Sequence, residues 1–278
     1  MPRRNNHPMR RRPFLAAALG AIAVSPARAQ ATRAADAPLR LGVDAALVES
    51  GLGRSLQHAF GADTGILVKL VAGPALALLA AIKEGELDAV LSNAPDAEAA
   101  LDKQGLVHDR HAIAAGEFIL VGPAPARVRG KRAAPPTHSG VEALTTIRDL
   151  AAAGTPGLVF LSPGDGSGTH VAEQALWRGA RIDPQAPWYA IADPKAGFAA
   201  QVRARGAYAL VERGAWAAAG GAPLAVLVEQ DPALGETVHV MRAFHITHPA
   251  GKIFVAWISG GRGRAVVASH RGYRAPDR

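Results

Sequence analysis

Leu161-Ser162-Pro163-Gly164-Asp165-Gly166-Ser167-Gly168-Thr169-His170 joins an apolar run to an amphipathic one. Residues 157–161 read as a short buried strand. Residues 170–177 read as a helix, with Val171, Ala175 and Leu176 near one face and Glu173 and Gln174 near the other. A strand that turns through glycines into a helix leaves free backbone N–H groups at the helix start, and these groups and the helix dipole favour an anion. Ser167 or Thr169 is placed to cap the helix. The same residues also suit a plain tight turn closed by a capping hydroxyl.

Enzyme motifs do not fit this stretch. A P-loop requires Gly-Lys-Ser/Thr, and no lysine occurs here. A nucleophile elbow requires glycines two residues to either side of the serine, where Ser167 has Asp165 and Thr169. Gly164, Gly166 and Gly168 lack the Gly-x-Gly-x-x-Gly spacing of dinucleotide folds. A hydrolase built from Ser167, His170 and Asp165 or Glu117 is disfavoured, because neighbours three apart at a helix start do not usually present a base to its nucleophile. His170 suits a packed or capping role better than a proton switch or metal ligand. Asp165 suits shaping the turn better than repelling an anion. His245 and His248 alone make a weak metal site. No catalytic residue, metal or cofactor is expected.

Residues 1–29 carry six arginines and no acid. Arg11-Arg12-Pro13-Phe14-Leu15 has the form of a twin-arginine export core. The apolar segment 16–24 and Pro26-Ala27-Arg28-Ala29, an Ala-x-Ala cleavage site, follow it. That segment is too short to span a bilayer, so the chain is expected to be exported to the periplasm and cleaved near Gln30. The whole chain has a net charge of +8, from 31 Lys and Arg against 23 Asp and Glu. Without the six signal arginines the balance is 25 against 23. The basic character therefore belongs largely to the signal, and with aromatics at 5% no nucleic-acid surface is expected. Cysteine is absent, which excludes disulfides, a thiolate nucleophile and cysteine metal sites. The remaining 249 residues are enough to build a large core without staples.

Past the signal, strand and helix patterns alternate. Strands are expected at 39–43, 66–71, 88–92 and 118–121, and helices at 47–62, 75–83 and 96–104. Residues 124–140, with Pro125, Gly130, Pro135, Pro136 and four bases, read as a surface loop. A helix over 141–153 precedes the quoted stretch. An extended run at 188–192, a helix at 198–205, a strand at 207–211 and a helical turn from Ala215 come after it. Strands are expected at 224–228 and 238–244 and the opening of a C-terminal helix at 253–258, with the chain fraying from Gly260. This order predicts an α/β chain with a doubly wound, mostly parallel sheet.

Short anchors in a fixed order carry a family resemblance. They are Ser50-Gly51-Leu52, Thr64-Gly65-Ile66, Glu84-Gly85-Glu86-Leu87-Asp88-Ala89-Val90 and Glu117-Phe118-Ile119-Leu120-Val121-Gly122-Pro123, then Ser167-Gly168-Thr169-His170, Trp177, Trp188-Tyr189 and Arg213-Gly214. Over roughly 39–258 the chain resembles the tungstate-binding proteins of bacterial ABC importers, a branch of the type II periplasmic binding proteins. The resemblance implies two lobes, each a mixed sheet flanked by helices, closing over an oxyanion. It places residues 37–116 with 245–278 in one lobe, 124–235 in the other, and crossing segments at 117–123 and 236–244. It implies a small oxyanion (tungstate or molybdate) or another small solute as ligand and a membrane permease as partner. The expected ligand-binding residues are Ser50, Gly73, Ser167, Gly168, Thr169 and His170.

The chain departs from the family pattern where the anion should sit. Ala45, Ala46 and Leu47 stand where the family has a Thr/Ser run. Gly73-Pro74-Ala75-Leu76 replaces a Gly-Thr-Gly-Gln element, and Ser162-Pro163-Gly164-Asp165 replaces Ser-Arg-Gly-Asp. A dianion without its cation forgoes a charge-assisted bond worth about 1.5–3 kcal/mol. Tungstate binding much weaker than in the relatives is therefore expected. Two further readings stand beside oxyanion delivery: the same fold binding a different small solute or serving as a sensory module, and, more distantly, a serine hydrolase.

Overall fold

The computed structural model describes residues 37–124, 139–221, 223–244 and 248–276. The expected export signal, most of the 124–140 loop and His245 lie outside the described residues. Strands β1 (Leu39–Asp44), β2 (Val68–Gly73) and β3 (Ala89–Ser92) are parallel, with β1 between the other two. β1 is buried at five of its six positions, which is why it reads as an apolar run rather than an alternation. Helices α1 (Ala45–Glu49), α2 (Leu52–Thr64), α3 (Ala75–Lys83) and α4 (Pro95–Lys103) connect these strands and lead on to β4 (Val107–Gly122).

β4 supports both halves of the molecule. Its first part pairs antiparallel with β9 (Gly235–Ala243), from Val107↔Ala243 to Glu117↔Gly235. Its last part pairs antiparallel with β7 (Ala209–Glu212) and β8 (Ala225–Val228). The seven strands run in the order β2-β1-β3-β9-β4-β7, with β8 also on β4. β5 (Phe160–Ser162) and β6 (Tyr189–Ile191) form a separate parallel pair, and Phe160 also bridges to Tyr208 beside β7. The second half adds α5 (Gly140–Ala152), α6 (Gly168–Ala180), α7 (Phe198–Arg205) and α8 (Arg213–Ala218). Two last helices, α9 (Ala250–Ser259) and α10 (Gly261–Ser269), return to the first half.

Each lobe has apolar side chains on both faces of its sheet. In the first lobe Leu39, Leu41 and Val43 pack with Leu56, Phe60 and Phe254 on one face. Val90 and Met241 pack with Leu78, Leu79 and Ile82 on the other. In the second, Phe118 and Leu120 face Phe160 and Trp177, while the intervening Ile119 and Val121 face Val202 and Trp216. This alternation follows from the two-residue period of a strand. Gly42 is required by close packing, because a Cβ there would lie 2.7 Å from Leu87 Cδ1.

Four expectations are corrected. The sheet is mixed, as the family resemblance implies, and not mostly parallel as the element order suggests, since β7, β8 and β9 run antiparallel to their neighbours. The helix expected over 47–62 is two helices, broken at Ser50 and at Gly51, whose φ of 87° ends one and opens the other. The strand expected at 118–121 begins eleven residues earlier, at Val107. Irregular register at His108/His111 and Ala112/Ala114 erases the period-two pattern there. Finally, the C-terminal stretch does not fray from Gly260. α10 buries Val267, Tyr273 is buried, and Ala115 and Arg274 exchange backbone hydrogen bonds of 2.8 Å. Among the described residues no helix is long and apolar enough to cross a membrane.

Candidate functional site

The stretch 162–170 turns from β5 into α6 between the lobes. Ser167 is the N-cap, its Oγ accepting from His170 N–H at 3.3 Å. The helix starts at Gly168, two residues before the expected start. Asp165 shapes the turn by accepting Ser167 N–H at 2.9 Å, and His170 Nδ1 accepts Gly166 N–H at 2.9 Å. His170 Nδ1 is thus bonded to the backbone and not to the serine hydroxyl. Burial holds this imidazole below its ordinary pKa, against the opposing pull of Asp165.

The sequence reading missed the residue at the centre of the site. Asp44, at the end of β1, is fully buried. Its Oδ1 accepts Ala46 N–H at 3.0 Å, and its Oδ2 accepts Gly168 N–H from the other lobe at 3.1 Å. The backbone of Ala75, at the start of α3, also favours the ionised form of this carboxylate. Helix starts from both lobes therefore converge on one anionic group. Burial raises Asp44 to about 6, with Asp165 adding to the rise and the backbone donors opposing it. The available signal was its place, an acid between an apolar strand and a helix start, which is an N-cap pattern.

Glu49, at the end of α1, repeats the arrangement. Its Oε1 accepts Phe198 N–H, at the start of α7 in the other lobe, at 3.1 Å. A third contact between the lobes is Leu76 N–H to Gly166 O at 3.0 Å. Behind Asp44, Glu212 caps α8 by accepting Gly214 and Ala215 N–H at 2.6 Å each, and burial raises it to about 7. Glu236 is buried and pushed well above its ordinary pKa by burial and by Glu212 beside it, and its Oε1 accepts from Asn93 Nδ2 at 2.7 Å.

A cavity of about 80 Å³ lies between the lobes. Ala45, Ala46 and Glu49 line one side, and Pro163, Asp165, Ser167, Thr169, Asp193 and Glu212 are among the residues lining the other. No lysine, arginine or histidine is among its described lining residues.

Of the expected ligand-binding residues, the structure brings Gly73, Ser167, Gly168 and Thr169 together. Gly73 pairs with Asp44 across the sheet, and Ser167 and Thr169 line the cavity. Gly168 packs so tightly that a Cβ would lie 1.8 Å from Asn93 Oδ1. Ser50 does not line the cavity. Its hydroxyl accepts from Tyr273 at 2.9 Å and from Leu52 N–H at 3.3 Å. His170 is not in the lining either. His248 has both ring nitrogens engaged, one by Ala37 O and one by Ala250 N–H.

Two α/β lobes joined through paired long strands, with a cavity between them, define a type II periplasmic-binding-protein fold. Residues 28–256 match the PBP superfamily domain, and the chain belongs to that superfamily. It is 28% identical over 183 residues to a Haloferax volcanii protein named for anion binding by an ABC transporter. That match covers 65% of this chain and spans half the length of the relative. It is 29% identical over 229 residues to the tungstate-binding protein TupA of Peptoclostridium acidaminophilum, covering 80% of this chain and 77% of the relative. The crystal structure of the tungstate-binding protein TupA from Desulfovibrio alaskensis superposes with a TM-score of 0.62 at 26% identity, covering 87% of this chain and all of that one.

Proposed function

We propose that the chain is the exported solute-binding component of an ABC importer, that its ligand is of the oxyanion class, and that it hands this ligand to a membrane permease. The observation that carries the reading is the convergence of the starts of α1, α3 and α6, from both lobes, on one anionic group at Asp44. Helix starts whose backbone N–H groups point at one place favour negative charge there. The names of the relatives support the same class. The site we propose comprises Gly73, Ala75 and Ala46 on one lobe and Ser167, Gly168 and Thr169 on the other, at the crossing made by β4 and β9. A second reading, the same fold holding a different small solute, is favoured by the acids Glu49, Asp165, Asp193 and Glu212 around the cavity.

Calorimetric titration of the purified protein with tungstate, molybdate, sulfate and phosphate tests the reading. One of these should bind in the micromolar range or better, and small-angle scattering should show a closed form with that ligand. Binding of a non-anionic solute with no response to any oxyanion would favour the second reading. Export is tested separately. Arg11→Lys with Arg12→Lys should strand precursor in the cytoplasm if the twin-arginine route is used, and normal delivery would assign the general route.

A further inference from the structure

The donors of the proposed oxyanion site are already engaged. Gly164 N–H is bonded to Ser162 Oγ, Gly166 N–H to His170 Nδ1, Ser167 N–H to Asp165 Oδ1 and Gly168 N–H to Asp44 Oδ2. Leu76 N–H, at the start of α3, is bonded to Gly166 O. Two carboxylates of one short segment, Asp44 and Glu49, each reach a helix start of the opposite lobe, at α6 and α7. A solute that closes such a protein works by bridging the lobes. Here the chain makes that bridge with its own anions.

We propose that Asp44, assisted by Glu49, is an internal anionic ligand: it fills the point where helix starts converge, draws the lobes together without solute, and yields the site to an oxyanion only when displaced or neutralised. This inference rests on the oxyanion reading of the site. Its physical basis is charge. A dianion beside an ionised buried carboxylate meets repulsion in a low-dielectric setting, and the two compete for the same N–H groups. The ionisable groups around Asp44 are Glu49 on its own helix, Asp165 in the turn before α6, Glu212 at the end of β7, Glu236 on β9, and Tyr273 beside Glu212. None is a cation that could offset a second negative charge. Protonating Asp44 removes its charge and turns an acceptor into a donor, so oxyanion binding should take up a proton.

The test compares wild type with Asp44→Asn, Asp44→Thr and the double variant Asp44→Asn/Glu49→Gln. Asparagine and threonine both retain an oxygen able to cap α1, which guards the fold, and circular dichroism checks it. Titration with molybdate and with sulfate, which stays a dianion throughout, is run at pH 7.5 and pH 5.5. Wild type should bind at least tenfold more tightly at the lower pH. Asp44→Asn and Asp44→Thr should bind at least tenfold more tightly than wild type at pH 7.5, with the pH effect cut to about twofold. Ligand-free scattering should show a larger radius of gyration for the double variant than for wild type. Folded variants with wild-type affinity, wild-type pH response and wild-type radius would overturn the proposal while leaving the oxyanion reading in place. If no form binds any oxyanion yet the double variant expands, the oxyanion reading falls and the closing role of the two acids stands.

Discussion

Gly168 and Ser167 show how single positions hold the site. A methyl group on Gly168 would meet Asn93 Oδ1 at 1.8 Å, a distance no side-chain contact tolerates. Gly168→Ala should therefore push α6 off the first lobe and break the bond to Asp44. Scattering should report a larger ligand-free particle, and an unchanged radius with intact secondary structure would show that the neighbouring loop absorbs the methyl. Ser167→Ala removes only the cap. It should cost about 1 kcal/mol in urea unfolding with little change in the lobe contacts. Pro163 offers the cavity neither a cation nor an N–H. Pro163→Arg should raise oxyanion affinity by about 1–3 kcal/mol, measured by calorimetry. Its gain is opposed by Asp165 and Glu212 in the same lining.

Among the elements, α6 and the C-terminal tail carry the most packing that the sequence pattern understated. Trp177, on α6, is buried between Phe160, Trp188 and Tyr189, with edge-on ring contacts 4.9–6.4 Å apart. Its Nε1 donates to Glu173 Oε1 at 3.0 Å, and Tyr189 donates to the same oxygen at 2.7 Å. Glu173, assigned to a polar face from the helical spacing, is therefore buried. Trp177→Ala should cost about 3–5 kcal/mol, read from urea unfolding. Removing residues 260–278 deletes α10, the buried Val267 and Tyr273, and the exchange between Arg274 and Ala115. That truncation should destabilise the first lobe by more than about 3 kcal/mol. A truncated chain as stable as the full one would show the tail to be dispensable.

At the scale of the whole molecule, buried acids set the pH response. Burial raises Glu173 and Glu212 to about 7 and Asp44 to about 6, and pushes Glu236 well above its ordinary value. A carboxyl whose native pKa exceeds its unfolded value binds more protons when folded. Its stabilising contribution is complete below the unfolded pKa and disappears as pH rises through the native one. Stability should therefore fall from about pH 4.5 to pH 7.5. A group moved as far as Glu173 contributes about 3 kcal/mol to that fall. The opposite trend, from the lowered Asp63 and Asp109, operates only at lower pH. Thermal melts should give a higher Tm at pH 5 than at pH 8, and Glu173→Gln should flatten part of the slope. A Tm that rises toward pH 8 would contradict the burial of these acids.

Local chemistry decided what could be read without the fold. α3 and α7 occur at the expected residues because a glycine closes each run, Gly85 just past the one and Gly206 at the end of the other. The turn at 162–170 was legible because a hydroxyl and an acid beside glycines define a capped helix start from near neighbours alone. β4 was not legible, since its bulges remove the alternation and its partners lie more than a hundred residues away along most of its length. Nor was the role of Asp44. Its identity suggested a cap, but the bond to Gly168 spans 124 residues, and that pairing exists only where the two lobes pack together. The sequence determined most of the elements and the family, and it pointed to Gly73, Ser167, Gly168 and Thr169 beside the candidate site. The tertiary structure alone decided that an acid occupies its centre, because burial, and the pKa shift that burial brings, belong to the packed chain and not to any segment of it.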